Sequence, residues 1–279
     1  MTSDPHAARA WPRPRLLSVY FVVLILLLYL PLLVLLLFSF NSGTSLSLPL
    51  QGLTLHWYER LFDAPEVLRA GRNSLVVAAG SSSGAAVLGT AVALLLSRFR
   101  FRGESVLFAF AMLPLVVPII VLAVAMLVLF LAAGVERSLW TIGIGHTIVA
   151  LPFVVLIVTA RLAGFDRDLE EAALDLGARY PKVLAAIVLP IIGPSVVAAW
   201  LVAFTVSLDE FALALFLAGT EPTFPVYLFS QLRFASRLPV MIALAVLLMA
   251  GTLALALLAE WVRRRGVRRT ASLSRQGDD

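Results

Sequence analysis

The chain has 279 residues, 61% hydrophobic and only 14% charged, and its mean hydropathy is +0.97; soluble domains hold about 45–50% apolar residues, so this is an integral membrane protein with no room for a soluble domain beside its spans. The net charge of +5 comes from arginines that cluster beside apolar runs, a placement that fits membrane orientation and argues against nucleic acid as a partner. Cysteine is absent, which excludes disulfides, thiolate catalysis and cysteine metal sites.

Residues 1–15 form an N-terminal tail carrying Arg9, Arg13 and Arg15, and an apolar run follows from Leu16 to Phe40. A signal peptide has an apolar core of about 7–15 residues and a small-residue cleavage site. This run is longer and lacks a clean site, so it reads as a retained first span. Next come Trp57, Tyr58, Leu61 and Phe62 at helical spacing; that face can rest at the lipid headgroups or pack on the bundle. Further spans are expected at 73–97, 105–133, 139–160, 187–208 and 238–260, each near or above the ~20 residues that a ~30 Å hydrocarbon layer requires. Together they make a six-span domain over 16–260, with a basic tail at 261–279.

The second span holds Gly80, Ser81, Ser82, Ser83, Gly84 and Gly89, small residues that let helices approach closely in lipid. Proline pairs, Pro114 with Pro118 and Pro190 with Pro194, should kink the third and fifth spans. The apolar region 183–218 would be roughly 54 Å long as one helix, so it must break. Ser207-Leu208-Asp209-Glu210 is the expected break, leaving Phe211 to Ala218 as a re-entrant or interfacial segment.

Six spans place both termini on one side. The loops on that side carry 16 of the 22 lysines and arginines and the opposite loops 6, so the positive-inside rule puts the termini and the 161–186 loop in the cytoplasm.

That loop is a charged island in the apolar chain. Leu169, Ala172, Ala173 and Leu176 recur at i, i+3, i+4, i+7 and form a narrow stripe on a short helix, while Asp166, Asp168, Glu170, Glu171 and Asp175 crowd the remaining surface. Gly177 follows, where helices end in the left-handed conformation that glycine adopts without strain. Pro181 suits the first turn of a second helix. The string Glu171-Ala172-Ala173, Gly177 after three residues, and Ile187-Val188-Leu189-Pro190 after nine more resembles the EAA loop in the membrane subunits of bacterial ATP-binding cassette (ABC) importers. Phe38-Ser39-Phe40-Asn41, Leu53 to Tyr58 and Asn73-Ser74-Leu75 are similar to the corresponding parts of the same subunits.

The chemistry of the remaining residues is sparse. A P-loop needs lysine between glycine and Ser or Thr, and the only lysine is Lys182, between Pro181 and Val183, so this polypeptide is not a P-loop ATPase. His6, His56 and His146 are scattered and indicate neither a metal site nor a triad; His146, within the fourth span, reads as a hydrogen-bond partner between helices. Asp209 and Glu210 lie at membrane depth, where acids face a partner or a wet pathway. With Ser207 they are candidate pathway residues favouring a cation; a salt bridge to Arg233 or Arg237, or an N-cap from Asp209, is the structural alternative.

Ser207 to Phe211, Phe224 to Ser230 and Arg233-Phe234 resemble the polyamine (spermidine/putrescine) branch of these importers. The resemblance implies an all-α, six-span type I ABC importer permease with cytoplasmic EAA coupling helices, in the inner membrane of a bacterium. It implies a second, homologous permease, cytoplasmic ATP-binding subunits, and a periplasmic or lipid-anchored substrate-binding protein. No cofactor is expected on this chain, since ATP would be bound by the partner, and no enzymatic activity of its own. Ferric iron, thiamine or phosphonate are alternative substrates within that class. An ion-driven secondary transporter using Asp209, Glu210 and His146 as a relay is the rival from another class.

Overall fold

A computed structural model describes residues 15–44 and 47–275, with backbone alone at 15–16 and 262–275. The expected N-terminal tail therefore lies, Arg15 excepted, outside the described residues. The described residues are mostly helical, and Asn41 and Leu53 form an isolated bridge.

The first span is α1 (Arg15–Ser39), which runs through Pro31 without a break. Short α2 (His56–Phe62) leads into α3 (Pro65–Arg98), which starts on Pro65 in its first turn, where a missing N–H leaves no intrahelical bond unmade. The third apolar run is two helices, α4 (Glu104–Val116) and α5 (Ile119–Ala132), bent by 109° at their junction. A kinked single span was expected at 105–133. Pro114 stays inside α4 and the chain turns at Val117-Pro118 instead, because a proline pushes the residue before it out of the helical region; Val117 has ψ 128.

Next come α6 (Leu139–Ala163), α7 (Asp168–Asp175) and the single turn α8 (Tyr180–Val183). A π turn at Leu184–Val188 joins α8 to α9 (Leu189–Asp209). Pro190 sits in the first turn of α9, so the second proline pair leaves that helix continuous. The expected break follows at Glu210, and short α10 (Ala212–Leu217) is buried at its Leu213, Ala214 and Leu217. The chain closes with α11 (Phe224–Gln231) and α12 (Leu238–Arg275). The last helix continues past the apolar span, so 261–275 extends it; residues 276–279 lie outside the described part. Among the described residues five helices can cross a membrane by length and composition, six when the bent α4–α5 pair counts as one span.

Helices α3, α6 and α9 pack on one another as the centre of the bundle, with α12 against α9. Small residues explain the fit of α3 on α6: a Cβ at Gly89 would lie 2.7 Å from Cγ1 of Val154, and one at Gly84 3.2 Å from Oγ1 of Thr147. Gly84 and Gly89 thus serve close packing, whereas a Cβ at Gly80 would meet open space. Ala85, Ala93, Val154, Val158, Val188 and Ala203 fill the core between the three helices. Helix α2 lies on the bundle with Trp57 and Leu61 buried against Val67, Tyr227 and Met241. The indole N–H of Trp57 donates to the carbonyl of Asn41 at 2.7 Å, and Phe62 alone of the four aromatic-face residues is strongly exposed. Helix α1 stands apart, resting on α12 with its apolar surface open.

Candidate functional site

The candidate residues fall in two polar regions of this apolar frame. The first is the loop between α6 and α9. Four consecutive features set its shape: an acidic first turn in α7, with Asp168, Glu170 and Glu171; Gly177 at φ +82; the turn α8; and the π turn before Pro190. Carboxylates are favoured at a helix N-terminus, where unpaired backbone N–H groups leave partial positive charge. The φ of Gly177 is open to glycine and strained for a β-branched residue. Amides of Gly177 and Ala178 bond back to carbonyls of Leu174 and Ala173 at 2.8 and 3.1 Å, closing the helix end.

Within this loop the stripe forms the outer face. Leu176 is 90% exposed, Leu169 and Glu171 are exposed, Ala172 is exposed and Ala173 half-buried. An exposed Glu171 beside an exposed leucine stripe offers a docking surface, since apolar area is open at a charged rim. Ile187 is half-buried against the α3–α6–α9 core, whereas Leu189 and Pro190 lie on the exposed side of the first turn of α9. Glu170 departs from expectation. Grouped by sequence with the exposed acids, it points inward and meets Arg98 at 2.6 Å, with both side chains under one-tenth exposed. Its helical neighbour Glu171 lies about 100° around the axis, so adjacent glutamates face opposite environments.

The second region is at the break between α9 and α10. Ser207 and Glu210 are three apart and share a face of the chain; Asp209, two from Ser207, is turned about 200° away. The structure splits the three candidates accordingly. Ser207 is buried, its Oγ 2.7 Å from Nδ1 of His146 and 2.9 Å from Oγ of Ser81 on α3. Glu210 approaches Nε2 of His146 at 3.4 Å, and its Oε2 accepts the N–H groups of Leu213 and Ala214 at 2.9 and 3.1 Å. If Ser81 donates to Ser207, Ser207 donates to Nδ1, and the ring proton sits on Nε2 facing the carboxylate; this tautomer is assigned from the network.

Two structural alternatives resolve here. Glu210, not Asp209, caps the following helix. Neither acid pairs with Arg233 or Arg237; both guanidinium groups lie over the ring of Phe234, at 5.0 and 5.5 Å from its centroid, and Arg237 also bonds Gln231. His146 bridges α6 to the α9–α10 break, the hydrogen-bonding role expected of it. Sequence reasoning missed Ser81, which joins the network through Ser207 rather than through His146 itself, although the Gly/Ser run of the second span includes it.

Asp209 is exposed and borders a groove of about 610 Å³ between α1, α9 and α12, with Tyr29, Leu33, Thr205, Met249 and Leu253 among its walls. The acidic residues therefore do not act as a pair: one is structural in its contacts, the other faces open space. Among the described residues no three His, Asp or Glu side chains converge as a metal site.

The described residues thus form a helical bundle of membrane-crossing length with the short amphipathic helix α7 outside it. Residues 66–268 match the family model described as binding-protein-dependent transport system inner membrane component, and the chain belongs to that family of ABC importer permeases. It is 34% identical over 219 residues to the spermidine/putrescine transport system permease protein PotC of Haemophilus influenzae, covering 78% of this chain and 85% of that one. With the putrescine transport system permease protein PotI of Escherichia coli it shares 36% identity, covering 71% and 73%. Among solved structures, a chain of a bacterial ABC transporter involved in the import of the acidic polysaccharide alginate superposes with a TM-score of 0.71, covering 90% of this chain and 94% of that one at 16% identity. At that identity the likeness concerns the fold, which is the type I permease fold.

Proposed function

We propose that this chain is one of two homologous permeases lining the route of a polyamine importer, and that a separate cytoplasmic subunit hydrolyses ATP. The observation that carries the substrate class is the identity of 34–36% to spermidine/putrescine permeases over most of the chain. Asp209 supplies matching chemistry: an exposed carboxylate at membrane depth attracts a protonated amine and disfavours an anion. The permease performs no covalent step. Its work is to change which side of the membrane the route faces.

The coupling loop is the input. Leu169, Ala172, Ala173 and Leu176 dock in a groove of the ATPase, with Glu171 at the rim. When two ATP-bound motor subunits close, the docked helix moves, and the Gly177 elbow and Pro190 pass the motion to α9. A receptor on the outer face delivers the amine, and the spans enclose it as the route turns. Both termini are cytoplasmic, consistent with the arginine-rich loops at 98–102 and 161–182, and the membrane is the inner membrane of a bacterium.

The test is ATP-driven uptake of labelled putrescine and spermidine into vesicles holding both permeases, the ATPase and the receptor. Replacing Asp209 with Asn should lower uptake about tenfold, equivalent to about 1.4 kcal/mol, with the complex still assembled. Uptake that proceeds without the ATPase, or collapses with a proton uncoupler at constant ATP, would instead favour an ion-driven carrier.

A further inference from the structure

The coupling helix is attached to the bundle by more than its own chain. At its inner face Glu170 meets Arg98, the last residue of α3, at 2.6 Å. The guanidinium also lies over the ring of buried Phe165, 5.2 Å from the centroid. A second arginine reaches the same helix end: Nη2 of Arg167 donates to the carbonyl of Ser97 at 2.8 Å. On the other side of the loop, the ring of Tyr180 meets Phe99 edge-on with centroids 5.8 Å apart. The end of α3 is thus gripped from α7 and from α8, although neither adjoins it in sequence.

The pair is built for this position. A cation at the C-terminus of α3 and an anion in the first turn of α7 each complement the partial charge of their helix end. Both are nearly fully buried, and Nε of Arg98 has no acceptor, so removing either partner strands a buried charge. The covalent route from α7 into α9 differs. It passes a glycine elbow with nothing within 4 Å of an added Cβ, then a single turn and a π turn, both of which interrupt regular helix. One connection is a direct ion pair between helix ends, the other a series of joints.

We infer that Arg98 and Glu170 are positioning residues forming a strut, through which the coupling helix drives α3 directly and with it Ser81, the member of the intramembrane network carried by α3. This rests on the proposed coupling role of the loop. A stroke at the ATPase reaches the network from two sides: through the strut to Ser81, and through the elbow to Ser207 on α9. Their hydroxyls, 2.9 Å apart, sit where the two motions meet.

The experiment uses the complete transporter in vesicles, measuring uptake and ATP hydrolysis together. Glu170→Gln and Arg98→Gln should each lower the amine moved per ATP about two- to thirtyfold, while the complex still assembles and hydrolyses ATP. Exchanging the charges, Arg98→Glu with Glu170→Arg, should recover part of the loss. An unchanged ratio in the single variants overturns the strut. So does loss of assembly and hydrolysis together with no recovery in the exchange, the signature of a merely structural pair. A second measurement leaves the pair intact: Ser97→Cys with Arg167→Cys, joined by a short bifunctional thiol reagent in a chain without native cysteine. Joined helices that move as one body keep transporting; a block relieved on cleaving the link shows that they must separate and overturns the proposal. Wild-type vesicles that need no ATPase would instead refute the coupling reading beneath it.

Discussion

Gly177 combines a φ of +82 with empty space around the position of a Cβ. A substitution there changes backbone preference and leaves packing alone, so the sign of its effect isolates the elbow. Gly177→Val should cost about 1–3 kcal/mol of local strain, reducing uptake while membrane insertion survives. Gly177→Asn should be milder, because asparagine visits the left-handed region more readily. Equal uptake in all three proteins would separate the elbow from transport. At the other polar region, Glu210 has two tasks that substitution can divide. Glu210→Gln keeps an oxygen for the amides of Leu213 and Ala214 but loses the charge facing His146. Glu210→Leu loses both, leaving buried amides without acceptors at about 1–3 kcal/mol. Thermal unfolding in detergent should rank wild type above Gln and Gln above Leu. A Leu variant as stable as the Gln variant would mean that the cap contributes nothing.

At the scale of elements, α10 is held by closeness to α6. A Cβ on Gly145 would overlap the side chain of Leu213 and approach that of Leu217, whereas Gly143, two residues earlier, has open space. Gly145→Ala should destabilise by about 1–3 kcal/mol and loosen α10, with Gly143→Ala near neutral; melting midpoints in detergent compare them. If both shift alike, the packing account of the break fails. The break itself was legible because length forbids 183–218 as one helix, and the docking helix because its stripe and terminal glycine follow local rules. The angle at Val117-Pro118 was not legible. Two prolines four apart mark a disturbance, yet only the neighbours of α5, among them α10, decide whether the chain kinks or turns back. Burial of Glu170 was hidden for a similar reason: its partner is 72 positions earlier, from 170 to 98, and periodicity within α7 carries no record of it.

For the whole molecule, the arrangement is a compact group of α3, α6, α9 and α12, with the 161–186 loop between α6 and α9 and with α1 standing aside on α12. That open apolar surface needs lipid or another permease around it, as an importer of paired permeases would supply. Family membership and fold follow from relatives and from shape; which side the loop faces and what touches it follow from chemistry that the absence of cysteine makes easy to probe. The central claim is that the 161–186 loop is cytoplasmic and takes its force from a separate motor. Leu176→Cys places a lone thiol on a residue that is 90% exposed on the proposed docking face, and its rate of labelling by a membrane-impermeant maleimide can be followed in intact cells and in inside-out vesicles, with and without the ATPase. The account predicts labelling only in inside-out vesicles, strongly slowed when the ATPase is bound. Labelling in intact cells, or a rate indifferent to the ATPase, would contradict it.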